Sequence, residues 1–228
     1  MSSLEFPPPI DFDTLRCNLR LLPDDAAPTV DERAPPFLLA LCARFGVGVE
    51  YRILAAGSHK IGLTILLDPG MPLERQHWSF CHELAHILLG HDNSSVPSEE
   101  EERAANQIAA ELLLPRTEFA PVAREPLAAL KERFPNASWE VLLRRRLQFH
   151  NGVGTIFDEG KMTFRAASPG RNCPLQPLAE ELETVREAYR NAAAVTRNAG
   201  GLRMTADYVD TTGVVRRVLL WTDPEAEE

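Results

Sequence analysis

The fold of this chain is decided by residues 79–89, SFCHELAHILL, where a His-Glu-x-x-His pattern lies inside an apolar run. Apolar residues at this spacing predict a helix, and residues four apart share one helix face. His82 and His86 can therefore direct imidazole nitrogens at a single zinc ion. Glu83 is one position further round, where its carboxylate can reach a metal-bound water. We predict His82 and His86 as metal ligands and Glu83 as the catalytic general base.

A catalytic zinc ion needs a third protein ligand and an open position for water. His91 lies five residues after His86, which is about 140° round a helix, and Gly90 is expected to end the helix first. This spacing also differs from the third histidine of the metzincin pattern. We expect His91 to be exposed or to cap the helix rather than to bind the metal.

A glutamate on the following helix is the other source of a third ligand. Ser98 and Glu101 form a capping-box pattern that starts this helix, and Pro115 is expected to end it. The residues of this helix expected to face the core are Ala105, Ile108, Ala109 and Leu112. Helical periodicity relative to them favours Glu102 slightly without excluding the other glutamates. The candidates on this helix are Glu99, Glu100, Glu101, Glu102 and Glu111.

Composition restricts the class of protein. The 228 residues are 44% hydrophobic, which indicates a globular protein. The net charge of −9 argues against a protein whose whole surface binds nucleic acid. No apolar run reaches membrane-spanning length and no export signal is visible, so we expect no membrane partner. The four cysteines are scattered, which fits reduced thiols in the cytoplasm. The triple arginine 144–146 is expected to be a solvated helix face, with an anionic partner such as single-stranded nucleic acid as the alternative.

Turn, cap and periodicity signals predict the remaining elements. A proline-rich segment over residues 1–36 leads into the body. Helices are predicted over residues 37–45, 73–89, 99–114, 117–123, 125–134, 138–149 and 177–195. Strands are predicted over residues 47–54 and 61–67, with hairpins formed by 153–157 and 161–166 and by 202–209 and 214–221.

Two motifs in this order resemble the ImmA/IrrE metallopeptidase family. His82-Glu-Leu-Ala-His86 is followed by Glu102-Arg-Ala-Ala-Asn106 and a run that ends at Pro115, similar to that family's second motif. The resemblance covers about residues 37–150 and implies that Glu102 is the third zinc ligand. Asn106 matches the asparagine of the same motif, and it would hold a zinc ligand in place from the second coordination sphere. One catalytic Zn²⁺ is the implied cofactor.

The resemblance also implies a fold and an activity. We expect an α+β fold: a mostly helical zincin-like peptidase domain with a small β-sheet over residues 37–151, and a small α/β region over 152–228 that is a candidate sensor. The implied activity is cleavage of a specific protein substrate, a helix-turn-helix transcriptional repressor, which derepresses a stress or phage-defence operon. Single-stranded nucleic acid is the candidate activator. The alternatives are a zinc-fold sensor without efficient proteolysis and a toxin–antitoxin component.

Two further roles stay open at this level. An oxyanion-stabilising donor is required, and the candidate side chains are Tyr51, Tyr208, His91 and His150. A thiolate could also fill the open zinc position and keep the enzyme latent. Cys173, in a predicted loop, is the candidate latency thiol, and Cys81 is a weaker one.

Overall fold

The computed structural model describes residues 10–18, 28–54, 58–91, 97–211 and 215–224. The predictions for residues 1–9, for 19–27 and for most of the loop after His91 lie outside these ranges. The described residues form two compact units, one within Pro7–Phe119 and Phe134–Ser138, the other within Ala120–Arg133 and Trp139–Glu228. Helices and sheets occur in both, which confirms the α+β class.

The first unit combines helices with a three-stranded sheet. The strand order is β1-β3-β2, with β1 parallel and β2 antiparallel to β3. Its elements are α1 (Phe12–Asn18), α2 (Pro36–Phe45), β1 (Gly48–Tyr51), β2 (His59–Ile61), β3 (Thr64–Leu67), α3 (Leu73–Leu88), α4 (Glu99–Leu113) and α5 (Arg116–Phe119).

Helices α3 and α4 form the centre of this unit. They pack directly against each other, and α3 also contacts α2 and β3. Each helix buries one apolar stripe, as the periodicity predicted. The stripe of α4 is Ala105, Ile108, Ala109 and Leu112, and the α3 residues that are fully buried include Phe80, Leu84 and Leu88. The capping box of Ser98 and Glu101 at the start of α4 is confirmed.

The strand predicted over residues 61–67 begins too early, since only Thr64–Leu67 forms that strand. The chain instead forms a hairpin, in which β2 ends at Ile61 and β3 begins at Thr64. Gly62 adopts φ +56°, a conformation that glycine accepts without a steric penalty. Strand β2 was not predicted because it is only three residues long and has no buried residue.

The second unit is built on a five-stranded antiparallel sheet of order β5-β4-β8-β7-β6. A 3-10 turn spans Ala120–Val122. The other elements are α6 (Leu127–Arg133), α7 (Trp139–Phe149), β4 (Val153–Asp158), β5 (Lys161–Ala167), α8 (Ala179–Asn191), β6 (Val195–Ala199), β7 (Leu202–Thr211) and β8 (Val215–Pro224). Among the described residues, no helix has both the length and the apolar composition needed to cross a membrane.

Helices cover both faces of this sheet. On one face, Val185 and Ala188 of α8 pack against Phe157 and Leu220 in a buried apolar cluster. Strand residues alternate between faces, so Gly154 lies on the opposite side, where it closely approaches Leu143 of α7. The sheet is therefore a middle layer between α7 and α8.

The helix predicted over residues 177–195 is too long at its C-terminal end. Helix α8 ends at Asn191, and Ala192 adopts a left-handed conformation with φ +47°. Val195–Ala199 forms the edge strand β6, which the sequence analysis missed. All of its residues are partly or fully exposed. It therefore lacks the alternation of buried apolar and exposed polar residues by which strands are recognised.

The expectation of a solvated triple-arginine face is correct only for Arg144, which is exposed and pairs with Glu140. Arg145 and Arg146 are buried. Arg145 lies over Phe149 and Arg146 lies 4.3 Å above the Trp221 ring. Two of the three positive charges are therefore not available on the surface for the alternative role, binding of a nucleic acid.

A buried ion pair connects α8 to the sheet. Arg165 on β5 and Glu181 on α8 are 2.9 Å apart, with side chains only 5% and 1% exposed. Glu181 also accepts hydrogen bonds from the Thr222 hydroxyl and from the backbone N–H of Leu178 at the start of α8. Because both side chains are buried, loss of the carboxylate would leave the Arg165 guanidinium without a counter-charge.

We predict that Glu181→Gln destabilises the protein by about 3 kcal/mol, since removal of one partner strands a buried charge. The measurement is urea unfolding of the variant and the parent. Glu183→Gln is the matched control, because Glu183 lies on the same helix and pairs with Arg197 at the surface. Its expected effect is below about 1 kcal/mol. Equal effects of the two substitutions would contradict the prediction.

Candidate metal centre

Three predicted ligands meet where α3 and α4 pack together. His82 and His86 lie one turn apart on α3, and Glu102 lies in the first turn of α4. The Nε2 atoms of the two histidines are 3.1 Å apart. Oε2 of Glu102 lies 3.4 Å from His82 Nε2, and Oε1 lies 3.4 Å from His86 Nε2. Among the described residues, this is the group of side chains arranged to hold a metal ion.

The donor set fits a tetrahedral zinc ion. Metal–ligand distances of about 2.0–2.2 Å place neighbouring ligand atoms about 3.3 Å apart around a tetrahedral centre. The histidine nitrogens are 3.1 Å apart, and each lies 3.4 Å from one of the two oxygens of Glu102, so the contacts are close to that value. Two imidazoles and one carboxylate are also the ligand set of one class of catalytic zinc sites. The Glu102 side chain is 42% exposed, so the centre has a side open to solvent.

Burial prepares both histidines to bind a cation. It lowers the pKa of His82, against the opposing effects of Glu102 and of the Asn106 side chain. It also lowers the pKa of His86, helped by the neighbouring His82 ring. Both imidazoles are therefore biased towards the neutral form, which has the free lone pair that a metal requires.

Glu83 lies beside the ligand group in a pocket that disfavours its charge. Burial raises the pKa of this carboxyl to about 7, against the opposing effects of Ser58 and Lys60. The Ser58 hydroxyl donates a hydrogen bond of 3.1 Å to Oε1 of Glu83. A carboxyl group with this pKa can both accept and release a proton near neutrality, as a general base and acid must.

His91 does not join the ligand group but contacts one of its members. Gly90 adopts φ +70° and ends α3 in a Schellman arrangement, in which the N–H of His91 donates to the carbonyl of His86 at 3.0 Å. The backbone of His91 thus belongs to the end of the helix, and its side chain is only partly exposed. Its Nδ1 also lies 2.8 Å from Nδ1 of His86.

The remaining glutamates of α4 lie outside the ligand group. Glu101 completes the capping box with Ser98. Glu111 accepts a hydrogen bond of 2.7 Å from the backbone N–H of Arg116, at the start of α5. Glu99 and Glu100 are exposed at the start of the helix. The Asn106 side chain raises the pKa of His82, and its second-sphere role stays a prediction.

Two of the predicted oxyanion donors belong to the second unit, namely Tyr208 and His150. In the first unit, the Tyr51 hydroxyl donates to Oε1 of Gln76 at 3.1 Å, which gives it a structural partner. The candidate list for the oxyanion donor stays a prediction.

The two cysteines considered as latency thiols differ in burial. Cys81 is fully buried, and burial raises the pKa of its thiol far above the usual range, so it is unsuited to bind a metal as a thiolate. Cys173 is only partly buried and belongs to the second unit. Its latency role stays a prediction, and a Cys173→Ser variant no more active than the parent would contradict it.

Sequence reasoning missed Ser58 and Lys60, which contact the site from the edge of the small sheet. Ser58 bonds Glu83, and the Lys60 ammonium donates to the backbone carbonyl of His91 at 2.7 Å. Both contacts join residues at least 25 positions apart, which no local motif connects. A correct prediction of the short strand β2 would have indicated that Ser58 and Lys60 lie near the site.

Comparisons with known proteins agree with this geometry. Residues 42–145 match peptidase family M78, described as IrrE N-terminal-like domain. This match confirms the resemblance seen in the motifs for these residues. A Mycobacterium tuberculosis transcriptional regulator has a similar fold, with a TM-score of 0.56 and 16% identity over 93% of this chain and 81% of the regulator. No curated protein matches the chain.

The raised pKa of Glu83 predicts a pH-dependent stability of the metal-free protein. The folded state keeps this carboxyl protonated up to about pH 7, whereas its ordinary pKa is 4.5. The stability that the proton contributes is present below pH 4.5 and is lost as the pH rises through 7. Glu83→Gln cannot ionise, so the variant should become more stable than the parent between pH 5 and pH 8.

Thermal unfolding of both proteins in the presence of a chelator measures this difference. His82 and His86 titrate in both proteins, so the comparison cancels their contributions. A difference in unfolding temperature that does not change between pH 5 and pH 8 would contradict a buried, proton-binding Glu83.

Proposed function

We propose that this protein is a zinc-dependent endopeptidase, with His82, His86 and Glu102 as the ligands of one catalytic Zn²⁺ and Glu83 as the general base. The observation that carries the proposal is the convergence of two imidazole nitrogens and the Glu102 carboxylate, whose contacts of 3.1–3.4 Å lie close to the ligand spacing around a tetrahedral zinc. Membership of residues 42–145 in a peptidase family supports the reaction class.

In the proposed mechanism, zinc held by these residues would acidify a water ligand and polarise the scissile carbonyl. Glu83 takes a proton from the attacking water and returns it to the departing amine. Ser58 fixes one oxygen of Glu83, which leaves the other oxygen available for this transfer. The half-exposed Glu102 leaves one side of the centre accessible to an extended peptide.

We infer that the substrate is a helix-turn-helix transcriptional repressor whose cleavage derepresses a stress or phage-defence operon in the cytoplasm. The resemblance to the ImmA/IrrE family supports this substrate class. The similarly folded Mycobacterium tuberculosis protein is a transcriptional regulator, which supports a role in gene control. Single-stranded nucleic acid is retained as a candidate activator, and the second unit as a candidate sensor.

A regulatory binding protein without efficient proteolysis is the second candidate. A protein that only binds needs no general base, so the partly buried Glu83 with its pKa near 7 favours the enzyme.

We predict that the zinc-loaded protein cleaves its substrate at one site and that Glu83→Gln lowers the rate by about 10²–10⁴-fold. The measurement incubates the protein with repressors encoded beside its gene, with and without single-stranded DNA, and follows the fragments by mass spectrometry. A chelator should stop cleavage and added Zn²⁺ should restore it.

Metal content provides the control for this experiment. Glu83→Gln should keep its zinc, because Glu83 is outside the ligand group. Glu100→Gln, an exposed position at the start of α4, should cleave as the parent does. Normal cleavage by Glu83→Gln would refute the mechanism, and tight binding of the repressor without cleavage would favour the binding protein.

A further inference from the structure

The ring of His91 is held against a metal ligand by two backbone contacts. Its own N–H donates to the carbonyl of His86, as the end of α3 requires. The Lys60 ammonium donates to its carbonyl at 2.7 Å, which attaches the residue to strand β2. With its backbone fixed at both polar groups, His91 is only partly exposed and its ring centroid lies 5.0 Å from that of His86.

The contact between the two rings determines where the proton of His86 lies. Nε2 of His86 faces His82 and Glu102, so this nitrogen needs a free lone pair to bind a metal. A neutral imidazole then carries its proton on Nδ1. That N–H needs an acceptor, and Nδ1 of His91 lies 2.8 Å away. In this arrangement His91 would accept with Nδ1 and carry its own proton on Nε2.

We propose that His91 is a positioning residue that fixes the ring orientation and the tautomer of His86 for a divalent metal ion. The inference rests on the proposed function only in that the centre binds such an ion. Metal-bound histidines commonly donate their second N–H to a carboxylate, a carbonyl or water, and here a second histidine has this role. It explains why a histidine outside the ligand group lies in contact with the centre.

The alternative that His91 is itself a ligand does not fit the contact. Nδ1 of His91 faces Nδ1 of His86, the nitrogen that points away from His82 and Glu102. A purely structural role is the other alternative. It predicts that loss of the ring affects folding and leaves the metal affinity of the folded protein unchanged.

Three variants of the full chain separate these roles. His91→Phe keeps a ring and removes the acceptor. His91→Asn restores an acceptor oxygen close to the position of Nδ1. His59→Phe is the matched control, because His59 is an exposed histidine on β2 outside the ligand group.

The measurement is the affinity for Zn²⁺ and Co²⁺ by competition with a chromophoric chelator, together with thermal unfolding in excess chelator. His91→Phe should bind both ions about 10–100-fold more weakly than the parent. His91→Asn should recover most of that loss, and His59→Phe should bind as the parent does. His91→Ala, which removes the ring and its acceptor nitrogen, should weaken binding in the same direction and serves if His91→Phe does not fold.

Parent-like affinity of His91→Phe would overturn the inference while leaving the proposed function intact, and so would a His91→Asn variant as weak as His91→Phe. Failure of the parent itself to bind either ion would overturn both.

Discussion

The contact between the second half of α3 and the first turn of α4 is the constraint on which the metal centre depends. It brings a carboxylate from one helix to within 3.4 Å of two imidazoles on the other. The contact exists because each helix buries one apolar stripe, and the capping box of Ser98 and Glu101 sets where α4 begins. A shift of one residue in that start would rotate Glu102 by about 100° away from the histidines.

Burial at the same contact determines the electrostatics of the centre. Removal of water lowers the pKa of His82 and His86 and raises the pKa of Glu83, so each shift opposes the charged form of the group. Neutral imidazoles suit metal binding, and a carboxyl group with a pKa near 7 suits proton transfer. Strand β2 and the residue before it also contact these groups: Ser58 donates to Glu83, and Lys60 on β2 donates to the His91 carbonyl.

Local sequence signals predicted the parts of this arrangement that are local in the chain. Three features depend only on neighbours within five residues: the histidine pair, the end of α3 at Gly90 and the capping box. Glu102 needed the resemblance to a known family, because periodicity alone left other glutamates open. Ser58, Lys60 and the burial of Arg145 and Arg146 depend on packing between distant segments, and edge strand β6 has too few buried residues to be recognised.

The account is tested most directly by X-ray absorption at the zinc edge of the zinc-loaded protein, compared with Glu102→Gln. It predicts one ion per chain with two imidazole ligands and oxygen donors at about 2.0–2.2 Å, and weaker binding when the carboxylate is removed. A spectrum with fewer than two imidazoles, or binding that is unaffected by Glu102→Gln, would contradict the assignment of His82, His86 and Glu102 as the metal centre.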